Sequence, residues 1–216
     1  MKPFILLSIL IVVSYSMLPG QSVYQVPVSS KGNSIILTVA NESKSLGTSM
    51  LSVQPVGSHP ELKFTPQATT IKTLAAQAEA DVTFSFDVAR DAKVGRKDTL
   101  VFEIKDRTGG SWLKSIVVDY TAPREYRLDQ NFPNPFNPST TIYYDLPHDS
   151  RVSILVYDIL GREVRHLVSG VEEAGCHDLR LDARGLASGA YIYRMQADPV
   201  GGGKGFSDVK KLMVLK

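Results

Sequence analysis

Asp81-Val82-Thr83-Phe84-Ser85-Phe86-Asp87-Val88 alternates apolar and polar side chains without a break. Successive side chains of a strand point to opposite faces. Val82, Phe84, Phe86 and Val88 therefore share one face and Thr83, Ser85 and Asp87 the other, the pattern of a strand with one side on a core. The same period extends outward on both sides. Ile35, Leu37 and Val39 alternate with Ile36, Thr38 and Ala40. Leu100, Phe102 and Ile104 alternate with Val101, Glu103 and Lys105, and Ile116, Val118 and Tyr120 with Val117 and Asp119.

Turn-forming residues separate these runs at Asn41-Glu42-Ser43, Pro55-Val56-Gly57, Gly95-Arg96-Lys97-Asp98 and Asp106-Arg107-Thr108-Gly109-Gly110. Leu74 to Ala80 is rich in alanine and glutamine, but it is too short for a stable helix and reads as a turn. Short strands at this spacing predict an all-β, immunoglobulin-like β-sandwich over residues 22–122.

Thr121-Ala122-Pro123-Arg124-Glu125 opens a linker placed at residues 123–130, and a second sandwich is expected over 131–216. It begins with Asn131-Phe132-Pro133-Asn134-Pro135-Phe136-Asn137-Pro138. Each proline fixes φ and removes a backbone donor, and each residue before a proline is pushed to extended geometry. The segment is expected as a stiff, exposed lead into the strands. Ile142, Tyr144 and Leu146, then Val152, Ile154 and Val156, mark the first two strands. Asp158-Ile159-Leu160-Gly161 is a turn, with Gly161 free to take positive φ. Glu163 to Val168 returns. Leu179 with Leu181, and Tyr191, Tyr193 and Met195 behind Gly189, mark two more strands. Gly201 to Gly205 is a hairpin tip, and Lys210 to Leu215 closes the domain.

The chain starts with Met1-Lys2, an apolar run from Phe4 to Val13, and small or polar residues to Gly20. That is the layout of a cleavable signal peptide over residues 1–20, with cleavage after Gly20 preferred to Ser16. The alternative, a retained anchor, needs about 20 apolar residues. Nothing later in the chain reaches that length, so no membrane span is expected after signal removal. Cys176 is the one cysteine among 216 residues, so no disulfide within the chain is available. Residues 126–216 carry eleven basic and eleven acidic side chains, and residues 21–125 are balanced to within one charge. Neither half has the basic stripe that nucleic-acid binding requires.

Four ordered blocks resemble the type A C-terminal sorting domain of the type IX secretion system. They are Asn131 to Pro138; Val156-Tyr157-Asp158-Ile159-Leu160-Gly161-Arg162-Glu163-Val164; Gly185-Leu186-Ala187-Ser188-Gly189-Ala190-Tyr191-Ile192-Tyr193-Arg194; and Lys210-Lys211-Leu212-Met213-Val214-Leu215-Lys216. The resemblance implies a small β-sandwich recognised by an outer-membrane secretion translocon, reached through the periplasm. It also implies a tail that is often removed, or exchanged for a surface anchor, after export. The sorting residues it points to are Pro133, Asn134, Pro135, Gly161, Gly189, Tyr191, Lys210, Lys211 and Lys216. The same blocks are similar to the immunoglobulin-like domain of flagellar hook-capping proteins, which need no cleavable signal. By residue logic alone, the prolines lower the ordering cost of binding a receptor. Lysines around an apolar last strand either guard its edge against aggregation or offer it for strand addition.

Residues 22–123 resemble, through looser motifs, the immunoglobulin-like spacer modules of bacterial surface enzymes. This implies a binding or structural role, with a surface glycan or another surface protein as partner. No catalytic constellation is present and no cofactor is expected. His59 and His148 lie in turns beside Pro60 and Pro147, whereas His166 and His177 could face each other across neighbouring strands. Cys176 should point away from His177, which weakens a zinc trio. A reactive Cys176 would need a base and an electropositive setting; beside His177 at a strand start it reads as a tolerated small residue. Asp87, Asp91 and Asp98 flank one loop and read as solvated carboxylates rather than calcium ligands. Trp112 is expected in a core; exposed, it would instead suit stacking on a sugar ring.

Overall fold

A computed structural model describes residues 5–10 and 23–215. The chain divides into two compact units, residues 1–120 and 121–216, and the described residues contain strands and no helix.

The strands of the first unit are β1 (Ile5–Leu10), β2 (Val23–Pro27), β3 (Asn33–Asn41), β4 (Thr48–Val56), β5 (Leu62–Thr65), β6 (Thr69–Leu74), β7 (Glu79–Val88), β8 (Lys97–Lys105) and β9 (Ser111–Thr121). One sheet runs β1-β3-β7-β5 and the other β2-β9-β8-β4-β6. The alternation read from the sequence is what joins them. Val82, Phe84, Phe86 and Val88 of β7 are buried, as are Leu100, Phe102 and Ile104 of β8. Phe84 and Phe102 meet across the sheets at 5.5 Å between ring centroids, and Phe64 of β5 meets Phe102 edge-on at 6.0 Å. Asn41, the last residue of β3, is buried and spends its amide on the chain. Its Nδ2 donates to the carbonyls of Leu46, Leu74 and Ala75, and its Oδ1 accepts from Ser43 N. The stretch Leu74 to Ala80, expected as a turn, turns only over residues 75–78; Leu74 closes β6, and Glu79 and Ala80 open β7.

The second unit holds β10 (Arg127–Leu128), β11 (Ser139–Leu146), β12 (Ser150–Tyr157), β13 (Glu163–Glu172), β14 (Gly175–Asp182), β15 (Gly189–Pro199) and β16 (Phe206–Val214). Its sheets are β10-β11-β14 and β13-β12-β15-β16. They close on one core that includes Ile142, Tyr144, Val152, Ile154, Tyr193, Met195, Leu212 and Val214. Residues 123–130, expected as a linker, are built into this unit. Leu128 is buried in its core and Tyr126 stacks on Phe206. Arg127 ties β10 to β11 through the buried Asp145 carboxylate at 3.1 Å. Apolar Tyr126 and Leu128 had neighbours waiting for them that only the sheet arrangement supplies. The expected signal peptide over residues 1–20 lies mostly outside the described residues, apart from the backbone of β1.

Two outcomes follow from these cores. Phe102→Ala removes the ring shared by Phe64 and Phe84. It should cost the first unit about 3–5 kcal/mol and leave the calorimetric transition of the second unit in place. Burial, followed by the hydrogen bond to Glu172, raises the Tyr144 phenol far above its ordinary range, and burial does the same to Tyr193. The unfolded chain loses these protons near pH 10 and the folded chain keeps them, so stability is intact below about pH 10 and falls above it. Thermal melts from pH 8 to pH 11 should show that decline, weakened in Tyr144→Phe; a flat profile would overturn it.

Candidate functional site

The sequence leaves two blocks far apart, Asn131–Pro138 and Lys210–Lys216. The structure makes them one feature. β16 is the last strand of its sheet, so one flank of its backbone has no neighbouring strand. An open flank presents unpaired N–H and C=O groups. Here the proline-rich segment covers it, using side-chain amides where a strand would use its backbone.

Gln130 Nε2 donates to Lys211 O at 2.6 Å, and Asn134 Nδ2 donates to the same oxygen at 3.2 Å. Met213 N donates back to Asn134 Oδ1 at 2.9 Å. Phe136 then takes over with its own backbone. Its N–H donates to Met213 O and its carbonyl accepts from Leu215 N, both at 3.0 Å, in parallel alignment with Val214. Asn134 thus reproduces the donor–acceptor pair of a strand residue at a position where Pro135 has no N–H to offer.

A second set of bonds holds the segment to the core. Asn131 is buried, and its Nδ2 donates to Pro133 O at 3.0 Å and to Thr140 Oγ1 at 2.9 Å. Its backbone N–H donates to the Tyr193 hydroxyl at 2.9 Å, and that hydroxyl donates to Asp129 O at 2.7 Å. Phe132 pairs with Thr141 through both backbone bonds, and Phe136 is buried in the core. The stiff, exposed lead expected from the prolines is fastened to the fold at both ends. Pro133, Asn134 and Pro135 are exposed, as expected, but the segment is pinned at Asn131 and Phe136 on either side of them. The final strand is likewise an edge strand whose C-terminal half is occupied.

The other sorting residues sit in two rigid loops and on β16. At the β12–β13 turn, Asp158 Oδ1 accepts from Leu160 N and Arg162 N, and Oδ2 accepts from Arg162 Nε at 2.7 Å. Partial desolvation opposes it, but these bonds hold the Asp158 carboxyl below its ordinary range. Gly161 has φ +77°, a conformation that costs L side chains. The turn projects Ile159 and Leu160 into solvent at 77% and 72% exposure. In the β14–β15 loop, the buried Tyr191 donates its hydroxyl to Ala187 O at 3.0 Å, and Gly189 starts β15 at φ +149°. Lys210 pairs with Asp208 at 2.8 Å, on the face of β16 shared with Leu212. The side chain of Lys211 is exposed, while its carbonyl receives the two amides. Lys216 lies outside the described residues.

The remaining candidates do not assemble. His166 is on β13 and His177 on β14, strands of different sheets, so they do not face each other across neighbours. His177 stacks on Tyr144 and lies 3.3 Å from Glu172. Cys176 stands opposite Asp145 on β14. Asp87 accepts from Gly32 N, whereas Asp98 faces Tyr120, His59 and Arg96. Among the described residues, no three His, Cys, Asp or Glu side chains converge on one point. Trp112 is half-buried rather than enclosed. Its ring lies 2.7 Å, and Asp106 Oδ2 2.8 Å, from where a Cβ on Gly110 would stand, so a larger residue there would push these side chains aside. In the same unit a cleft of about 770 Å³ is lined by Gln54, His59, Lys63, Phe64 and Gln67. No helix among the described residues is long and apolar enough to cross a membrane.

Sequence reading missed Gln130, Thr140 and Tyr193 as parts of the clamp. Nothing in their local sequence distinguishes them.

No match is found among curated proteins. Among solved structures the chain is similar to the YadV chaperone, at 12% identity over 96% of this chain and 99% of that one, with a TM-score of 0.33. It is also similar to dimeric latent PorU from Porphyromonas gingivalis, at 16% identity over 99% of this chain and 20% of that one, with a TM-score of 0.35. Residues 130–213 match the family model of the secretion system C-terminal sorting domain, from the residue that opens the clamp to the residue Asn134 holds. The second unit of this chain therefore belongs to the type IX secretion C-terminal sorting domain family, and the protein that carries it is exported across the outer membrane.

Proposed function

We propose that this is a non-enzymatic protein of the cell surface or surroundings. Its residues 121–216 are the part read by the outer-membrane translocon, and its first unit, an immunoglobulin-like module, is the cargo. The observation that carries the reading is the clamp. A sorting tail must present the same shape whatever precedes it. Asn131, Asn134 and Phe136 lock the exposed Pro133-Asn134-Pro135 face onto the last strand, so the receptor meets a preorganised surface at low ordering cost. A leader over residues 1–20 would direct the chain to the periplasm first and be removed there.

For the cargo, a binding or structural role suits the lack of any nucleophile–base pair or converging ligand set among the described residues. A carbohydrate-binding reading gains from Trp112, whose ring keeps a solvent-facing part beside exposed Leu113. Titration of native protein with cell-surface polysaccharides should then shift Trp112 fluorescence. An unchanged spectrum across such glycans would leave the structural role in place.

Deleting residues 210–216 removes the strand the clamp holds. The expected result is cargo retained in the periplasm, followed by immunoblot of cell fractions; normal surface delivery would defeat the sorting reading. Asn134→Ala loses two bonds at the β16 edge, and each intramolecular hydrogen bond contributes about 0.5–1.5 kcal/mol net. It should lower the denaturation midpoint of the second unit, slow export, and leave the first unit's unfolding unchanged.

A further inference from the structure

The edges of the first unit are unequal. β2 has five residues and ends in Pro27, β5 has four, and β6 carries exposed Lys72. Shortness, proline and lysine are the usual protections of an edge. β3 has none of them. Asn33-Ser34-Ile35-Ile36-Leu37-Thr38-Val39-Ala40-Asn41 is nine residues long, without charge or proline, and pairs with β7 in unbroken register from Asn33 to Ala40. Among the described residues its other flank is covered by β1 alone, from Ile5 opposite Asn41 to Leu10 opposite Ile36. β1 lies wholly inside the segment read as a removable leader.

We infer that leader removal opens the β3 edge and that a second copy of the chain closes it, β3 against β3 in antiparallel pairing. The inference rests on the reading of residues 1–20 as a cleaved signal. β1 shows that this flank takes an antiparallel strand over six consecutive positions. A two-fold axis through Leu37 sets each β3 against its own copy, with Asn33 opposite Asn41 and Ile36 opposite Thr38. Directly opposed residues then share a face, as the pleat requires. The buried row Ile35, Leu37 and Val39 continues across the join. In this register exposed Lys31 before β3 and exposed Glu42 after it fall one position apart at each end, close enough for opposite charges to attract. A closed two-fold pair uses up the edge and ends the assembly, which an open head-to-tail contact would not.

The test compares the unprocessed full chain with the chain recovered from native cells, its N-terminus sequenced by mass spectrometry. Light scattering after gel filtration at micromolar concentrations should give a monomer for the first and a twofold mass for the second. Ile36→Lys in the recovered chain sets a lysine opposite Thr38 and crowds two cations around the axis; it should restore the monomer. Thr38→Lys is the second variant, since Thr38 Oγ1 lies 2.7 Å from Asp81 Oδ1 and a lysine there has a partner within the fold. A recovered chain that stays monomeric, a full chain that dimerises equally, or an exported chain that still begins at Met1 would each overturn the inference. A monomer that takes up an added Ile5–Leu10 peptide would assign the edge to a different strand and overturn self-pairing. Because mass is read in solution, a failure here leaves sorting untouched, and a failure of sorting leaves the dimer standing.

Discussion

An open sheet must do something with its last strand, and most of this protein's particular features answer that demand. Backbone groups at an edge are strong donors and acceptors with no partner. In the second unit the two edges of the four-stranded sheet are handled differently. β13 carries Glu163, Arg165 and Glu172, and its pairing with β12 is broken by register shifts at Ile154/Leu155 and Val156/Tyr157, a twist that discourages further addition. β16 stays regular and is covered by Gln130, Asn134 and Phe136.

That covering explains why a segment so rich in proline belongs in a β-domain. Proline cannot join a ladder through its nitrogen, so a neighbour built from Pro133, Pro135 and Pro138 needs another source of donors. Asparagine side chains supply them. The arrangement makes Asn131–Pro138 and Lys211–Leu215 interdependent although some eighty residues separate them in sequence, as with Asn134 and Met213. The domain's first and last blocks are two halves of one surface, and a receptor reading either one reads both.

In the first unit the same demand falls on β3, whose one flank is covered, among the described residues, by β1. Its core is conventional by comparison, with Phe64, Phe84 and Phe102 filling the space between the sheets. Aromatic rings in tilted and edge-on contact there bury large apolar area in a unit without disulfides.

The alternation of apolar and polar residues determined, without any structure, that both units are β, where most strands lie and which side chains face inward. Strand geometry is local, with a period of two, and Val82 to Val88 or Val152 to Val156 carry it in full. Gly161 was legible for the same reason, since a tight turn is a local matter of φ. What lay beyond reach depends on partners distant in sequence. Whether Tyr126 and Leu128 belong to a linker or a core was decided by the sheets that receive them. His166 and His177 look like neighbours until the strands carrying them are dealt to different sheets. Trp112 looks like a core residue in the sequence, and the fold leaves it only half-buried. The clamp is the clearest case. Nothing local tells that Gln130 and Asn134 hold the carbonyl of Lys211, because hydrogen-bond partners are chosen by the fold's geometry and leave no periodic trace in the chain.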